Sequence, residues 1–225
     1  MKEVQDIVDT ESSYASSLHE FWLCFVLPLQ VHFDTVKQKL VDGDSSILFS
    51  SCSLVVKFLQ SSLNFRQSLC TVNLIKGLDV DFGQISNIFL EMASTLIIYS
   101  EYISIVCDAV QLTKLSEHVL KGIVHKCSTP IEDFFILPLK HFQNYSLYLE
   151  RMISFAKYSF ESRRMSQNEE TAILMMKEAH DLISRYTRCA EDSMKKETEM
   201  FKLLAIQSQC KNPYSCRHMN VRVIA

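Results

Sequence analysis

The sequence has few of the residues that make turns. It contains only four glycines and four prolines among 225 residues. Architectures with many β-turns use both residues repeatedly, because glycine allows positive φ and proline fixes φ near the turn value. Their scarcity argues against a turn-rich β fold and favours long helices.

The sequence also lacks a charge excess and the motifs of common catalytic sites. Its 23 basic and 26 acidic residues give a net charge of −3, which does not indicate nucleic acid as a partner. It has no phosphate-binding or dinucleotide-binding glycine motif, no nucleophile elbow and no zinc-protease motif. His118 and His125 could share a helix face, but no carboxylates or thiolates cluster with them. We therefore expect no cofactor, no metal site and no covalent chemistry.

The eight cysteines form no C-x-x-C pair, and most of them lie in apolar stretches. This pattern predicts reduced, mostly buried thiols in a cytosolic protein. No apolar run approaches the ~20 residues needed to cross a bilayer, so we expect no membrane-spanning helix. Met1-Lys2-Glu3 reads as the start of a charged helix and not as a targeting segment. We expect a cytoplasmic protein.

Hydrophobic residues recur at three- and four-residue steps along most of the chain, which predicts long helices. Pro28 should disturb the first of them, and Pro130 should fill the first turn of the fifth, capped by Ser128 or Thr129. The expected helices cover residues 2–40, 45–68, 85–99, 106–126, 130–160 and 170–208. The prediction is an all-α, elongated bundle of about six helices with no substantial sheet. One domain should span residues 1–210, followed by a tail over 211–225.

Three blocks of sequence carry a resemblance to a known family. They are Val4–Tyr14 with Leu18 and Leu27-Pro28-Leu29, then Ile85–Leu90 with Tyr99 and Tyr102, then Pro130–Leu149. In order and spacing they resemble the three conserved regions of the Dbl-homology family, and the likeness covers about residues 2–210. Each block alone is a weak signal, because tyrosine and leucine at helical spacing are usually core residues. The three in order argue against chance.

The resemblance implies a guanine-nucleotide exchange factor for Rho-family small GTPases, located in the cytosol or at the inner face of the plasma membrane. In that family, the first, fifth and last helices grip both switch segments, displace Mg²⁺ and hold the nucleotide-free state more tightly than the loaded one. A pleckstrin-homology domain usually follows the last helix. The tail over residues 211–225 could be the truncated start of such a domain, which would give peripheral membrane association.

The resemblance also implies which residues bind the GTPase. The glutamate of the first region falls on Asp6, the basic residue of the third on Asn144, and the polar residue of the last helix on Ser184. Lys140 and His141 stand where the family has Gln-Arg, and we expect both to contact a partner because their neighbours already supply burial. The whole expected set is Asp6, Thr10, Glu11, Lys140, His141, Asn144, Tyr145 and Ser184.

Asp6, Asn144 and Ser184 depart from the family pattern, which usually has asparagine at the position of Ser184. Asp6 is one methylene shorter than glutamate, and Asn144 has no charge, so about tenfold or more in exchange rate is at stake. Both could equally be plain solvated side chains. The departures motivate a second hypothesis, a catalytically weak scaffold or interaction domain of the same fold. A third hypothesis is an unrelated helical adaptor.

Overall fold

The computed structural model describes residues 2–39, 44–73, 81–95, 97–124, 127–160 and 165–210. Within these ranges the secondary structure is helical and includes no strand, which confirms the predicted all-α class. The helices are α1 (Lys2–Phe21), α2 (Leu27–Val31), α3 (Phe33–Lys39), α4 (Asp44–Asn73), α5 (Phe82–Ser94), α6 (Ile97–Leu115), α7 (Glu117–Leu120), α8 (Ile131–Phe160) and α9 (Gln167–Cys210). The expected tail over 211–225 lies outside the described residues.

The first predicted helix is present, with the expected disturbance before Pro28. A π-helical segment over Trp22–Val26 separates α1 from α2, and the Leu27 N–H bonds to the Trp22 carbonyl five residues earlier. Pro28 has no N–H and cannot donate to the carbonyl four residues before it. The wider turn therefore lies where the α-helical pattern would lose a bond anyway.

The boundary between the third and fourth predicted helices was wrong. The break falls at Thr95, where the side-chain hydroxyl bonds to the Met92 carbonyl at 2.7 Å, and not between residues 99 and 106. Tyr99 and Tyr102 both lie against Phe58 of α4, with ring centroids 4.3 and 5.0 Å away. Residues three apart lie on the same face of a helix, which is how both tyrosines of α6 reach Phe58.

The starts of the last two helices show how the chain is capped. α8 begins at Ile131, as predicted, but the Ser128 N–H bonds to the Glu20 carboxylate of α1 at 2.8 Å. α9 begins at Gln167, about three residues before the predicted start. Ser166 and Glu169 bond each other's backbone N–H, at 3.4 and 2.8 Å, which is a capping box.

α8 lies between α1 and α9 and runs antiparallel to both. Along α1, Phe21 meets Phe135 (ring centroids 5.1 Å apart) and Tyr14 meets His141 (3.7 Å). On the other side, Ser146 of α8 bonds Ser184 of α9 at 2.9 Å, and further contacts continue along both helices. The three helices that the sequence predicted to form one surface therefore lie side by side.

The expectation that no apolar run is long enough to cross a bilayer fails for α4. Over Ser45–Val72 it is long and apolar enough to cross a membrane, by length and composition alone. It packs against α1, α5 and α6, and it buries Val55, Phe58 and Leu69 in the common core. These contacts are those of the core helix of a bundle.

Six cysteines of the described ranges are thiols and form no disulfide. These are Cys24, Cys52, Cys70, Cys107, Cys127 and Cys189. Cys52 is buried, Cys189 is exposed and the rest are half-buried, so burial is less complete than the sequence predicted. Among the described ranges, no three His, Cys, Asp or Glu side chains lie close enough to hold a metal ion; His125 falls outside them.

Candidate functional site

One side of α8 faces solvent while the opposite side is covered by α6. On the covered side, Tyr99 packs on Phe142 (ring centroids 4.2 Å apart) and the Tyr102 hydroxyl donates to the Phe135 carbonyl at 2.5 Å. The solvent side is a ridge, which we name the α8 ridge, formed by Lys140, Asn144, Leu147, Arg151 and Tyr158. Their spacing of three, four and seven residues places them on one helix face. Leu147 and Tyr158 are 49% and 75% exposed, so the ridge offers apolar as well as charged contacts.

α1 borders the ridge with two of the predicted residues. Asp6 and Thr10 are both exposed, and the Thr10 hydroxyl donates to the Asp6 carbonyl at 2.8 Å. Asp6 and Arg151 line a shallow groove of about 630 Å³ between α1 and α8. Asp6 thus lies beside the α8 ridge, in the same groove as the Arg151 side chain of α8.

α9 borders the ridge on its other flank through Ser184. This side chain is half-buried, and its hydroxyl lies 2.9 Å from that of Ser146 and 3.5 Å from His180 Nε2. Gln143 also donates to the Glu191 carboxylate at 2.7 Å. Ser184 therefore joins α8 to α9 at the edge of the exposed face.

The other predicted residues, apart from Lys140 and Asn144, are buried beneath the ridge. Glu11, His141 and Tyr145 are 0%, 5% and 1% exposed. The expected surface position of His141 is corrected, because its ring stacks on Tyr14 at 3.7 Å and points between α1 and α8. Lys140 is exposed, as expected. The GTPase-binding roles of all these residues stay predictions.

Glu11 is the centre of a buried polar network between α1, α4 and α8. Its carboxylate lies 2.6 Å from His141 Nε2 and accepts from the hydroxyls of Ser62 at 2.7 Å and Tyr145 at 3.3 Å. These bonds supply the partners that a buried carboxylate needs. The network therefore joins the buried side of α8, beneath the α8 ridge, to α1 and α4.

Burial also fixes the state of the tyrosines in this region. It raises the pKa of Tyr14 and of Tyr145 well above the usual value, with the nearby Glu11 carboxylate adding to the effect. It raises the pKa of Tyr148 to about 12, against the opposing influence of the Thr10 and Asn144 side chains. All three phenols are neutral at physiological pH and act only through packing and hydrogen bonds.

Three residues of this region were not found from the sequence. Ser62 lies on α4, outside every quoted motif, and only the fold brings it to Glu11. Tyr148 lies within the third block, where a tyrosine at helical spacing is usually a core residue. Arg151 lies just past the third block, yet its seven-residue spacing from Asn144 was a usable signal for a shared helix face.

Comparison with known families and structures agrees with this geometry. The family model described as RhoGEF domain matches residues 4–184. A structure of the Vav1 exchange factor that addresses its PH and C1 domains superposes with a TM-score of 0.61 at 14% identity, over 92% of this chain and 52% of that one. An activated truncation of Vav1 gives 0.62 at 15% identity, over 92% and 49%. The DH domain of FARP2 gives 0.58 at 18% identity, over 92% and 94%.

The chain therefore spans about half the length of the Vav1 chains and nearly all of the FARP2 domain. No curated protein sequence matches. At these identities the structural likeness shows the fold alone, while the family model covers most of the chain and shows the family. The chain belongs to the RhoGEF family, the Dbl-homology exchange factors for Rho-type GTPases.

Proposed function

We propose that Asp6, Thr10, the α8 ridge and Ser184 form a face that binds both switch segments of a Rho-family GTPase and stabilises its nucleotide-free state. Membership of the RhoGEF family supports the partner and a function in nucleotide exchange. The observation that carries the proposal is that Asp6, Lys140 and Arg151 are exposed on the α8 ridge and its α1 border, with the half-buried Asn144 between Lys140 and Arg151. Exchange needs only such a surface, since tighter binding of the nucleotide-free state drives release.

The dimensions of the face fit two contacts on one partner. Because α1 and α8 are antiparallel, Asp6 lies near Arg151 at one end. Asn144 lies seven residues earlier along α8, about 10 Å away at 1.5 Å per residue. Ser184 then extends the face onto α9 beside Ser146. Two separate segments of a small GTPase could be held at these two ends together.

The charge on the ridge favours exchange over a purely passive scaffold. Asn144 is neutral, but Lys140 and Arg151 on the same helix face are exposed cations on either side of it. Positive charge is therefore kept near the position where the family has a basic residue. Family membership removes the hypothesis of an unrelated helical adaptor. A cytoplasmic or inner-membrane setting follows from such a partner and is part of the proposal.

The test is release of a fluorescent guanine nucleotide from a panel of Rho-family GTPases with the chain at micromolar concentration. We expect acceleration for at least one GTPase. Asp6→Ala should reduce that acceleration by about tenfold or more, because a charge-assisted hydrogen bond is lost. Asp108→Ala is the matched control, since Asp108 is an exposed acid on α6, which covers the opposite side of α8.

The alternative outcomes separate the hypotheses. Absence of acceleration across the whole panel would refute exchange activity. Binding of a nucleotide-free GTPase without accelerated release would instead support the scaffold hypothesis. In that case Asp6→Glu and Asn144→Lys together should restore release, because they return the longer acid and the cation of the family pattern.

A further inference from the structure

The side chain of Asn144, at the centre of the α8 ridge, is held by a contact with His141 on its buried side. It is half-buried, and its amide nitrogen lies 3.3 Å from Nδ1 of His141, one helical turn earlier. His141 is 5% exposed and cannot turn away, because its ring stacks on Tyr14. A surface asparagine on a helix is usually free to rotate, so this contact restricts which of its atoms meets a partner.

The other nitrogen of His141 decides which way this bond runs. Nε2 lies 2.6 Å from the Glu11 carboxylate, whose oxygens also accept from the Ser62 hydroxyl. A carboxylate is an acceptor, so His141 Nε2 carries the proton. In a neutral imidazole with Nε2–H, the Nδ1 atom is an acceptor. The Asn144 amide nitrogen is then the donor, as the contact distance allows.

A second polar group lies one helical turn after Asn144 and does not compete for its amide nitrogen. Tyr148 is 5% exposed, and its hydroxyl has no hydrogen-bond partner within the described part of the chain. The contact with His141 therefore sets the orientation of Asn144. With the amide nitrogen directed to Nδ1 of His141, the amide oxygen Oδ1 is left for the outer side.

We propose that His141 is a positioning residue that fixes Asn144 with Oδ1 toward the partner, so that Asn144 selects a hydrogen-bond donor on the bound GTPase. The donor can be a hydroxyl, a backbone N–H or a cation. This inference depends on the proposed function for the identity of the partner. The orientation of Asn144, however, is a property of this chain alone and can be measured without any GTPase.

The first measurement is imidazole ¹⁵N NMR on the full chain labelled at histidine, with the His141 signals assigned by their loss in His141→Gln. At neutral pH we expect protonated Nε2 and unprotonated Nδ1. Asn144→Ala should shift the Nδ1 resonance more than the Nε2 resonance. A protonated Nδ1, or an Nδ1 resonance that ignores Asn144→Ala, would overturn the proposal.

The second measurement is a double-mutant cycle in nucleotide release. In His141→Gln the side-chain amide can keep the donor to Glu11 but has no acceptor at the Nδ1 position. We expect release to slow by about two- to tenfold, the effect of one neutral hydrogen bond, with no further loss when Asn144→Ala is already present. His118→Gln, at an exposed position on α7, should leave release unchanged.

The outcomes distinguish this inference from the proposed function. If His141→Gln slows release equally with and without Asn144→Ala, the histidine does not act through Asn144 and the inference fails. If the unaltered chain accelerates release from no GTPase, the proposed function fails. The ¹⁵N spectra then still decide the orientation of Asn144.

Discussion

Replacement of Glu11 by alanine should be among the most destabilising single changes in the bundle. The side chain is 0% exposed and bonds His141, Ser62 and Tyr145 at 2.6, 2.7 and 3.3 Å. Glu11→Ala leaves the imidazole N–H and the serine hydroxyl buried without that acceptor, and each such group costs about 1–3 kcal/mol. We expect the free energy of unfolding to fall by about 2–6 kcal/mol, the combined cost of these two groups. That is a large share of the ~5–15 kcal/mol that stabilises a typical domain.

The assay is urea unfolding followed by the helical circular dichroism signal, with free energies of unfolding taken from the midpoint and slope. Glu101→Ala is the matched control, because Glu101 is an exposed glutamate on α6. Its effect should stay within about 0.5 kcal/mol. Glu11→Gln should lie between the two, at about 1–2 kcal/mol, since one acceptor oxygen remains for His141.

Equal losses for Glu11→Ala and Glu101→Ala would show that the buried bonds contribute nothing to stability. If Glu11→Ala in addition slows nucleotide release while the free energy of unfolding is unchanged, the sequence-based expectation that Glu11 binds the GTPase directly is restored. The two assays on one variant therefore separate a supporting role from a contact role.

Three further results are expected. Tyr102→Phe removes the bond to the Phe135 carbonyl and should lower the free energy of unfolding by about 1 kcal/mol in the same urea assay. Ser166→Ala removes the cap of α9 and should cost about 1 kcal/mol, seen as a lower thermal midpoint. Burial raises the pKa of Cys127 to about 12. Its thiolate is therefore scarce at pH 7, and iodoacetamide should label the exposed Cys189 well before Cys127, as followed by mass spectrometry.

The fold class was predictable because it depends on signals that are local in the chain. The scarcity of glycine and proline, together with apolar residues at helical spacing, led to an all-α bundle, and Pro130 marked the start of α8 correctly. The break at Thr95 was missed because no glycine or proline marks it and the apolar spacing continues across it into α6. There the tertiary contact of Tyr99 with Phe58 decides the boundary.

The site was predictable only where a motif position coincides with an exposed helix face. Asp6, Thr10 and Lys140 are on the surface, as the resemblance implied. The pairing of Glu11 with His141 was not predictable, because the two lie 130 residues apart and meet only when α1 packs against α8. Local sequence shows which side of a helix is polar, but not which buried polar group on another helix will complete its hydrogen bonds.

Glu11, the single acid on the buried side of α1, affects the register in which α1 packs against the rest of the bundle. One turn before and after Glu11 stand Ile7 and Ala15, which are both buried and apolar. A slide of α1 by one turn, about 5.4 Å, would keep apolar residues facing the core almost as well. It would also place an apolar side chain against the His141 N–H and leave the Glu11 carboxylate without its hydrogen-bond donors. We therefore expect the acid to exclude sliding alignments that hydrophobicity alone would tolerate.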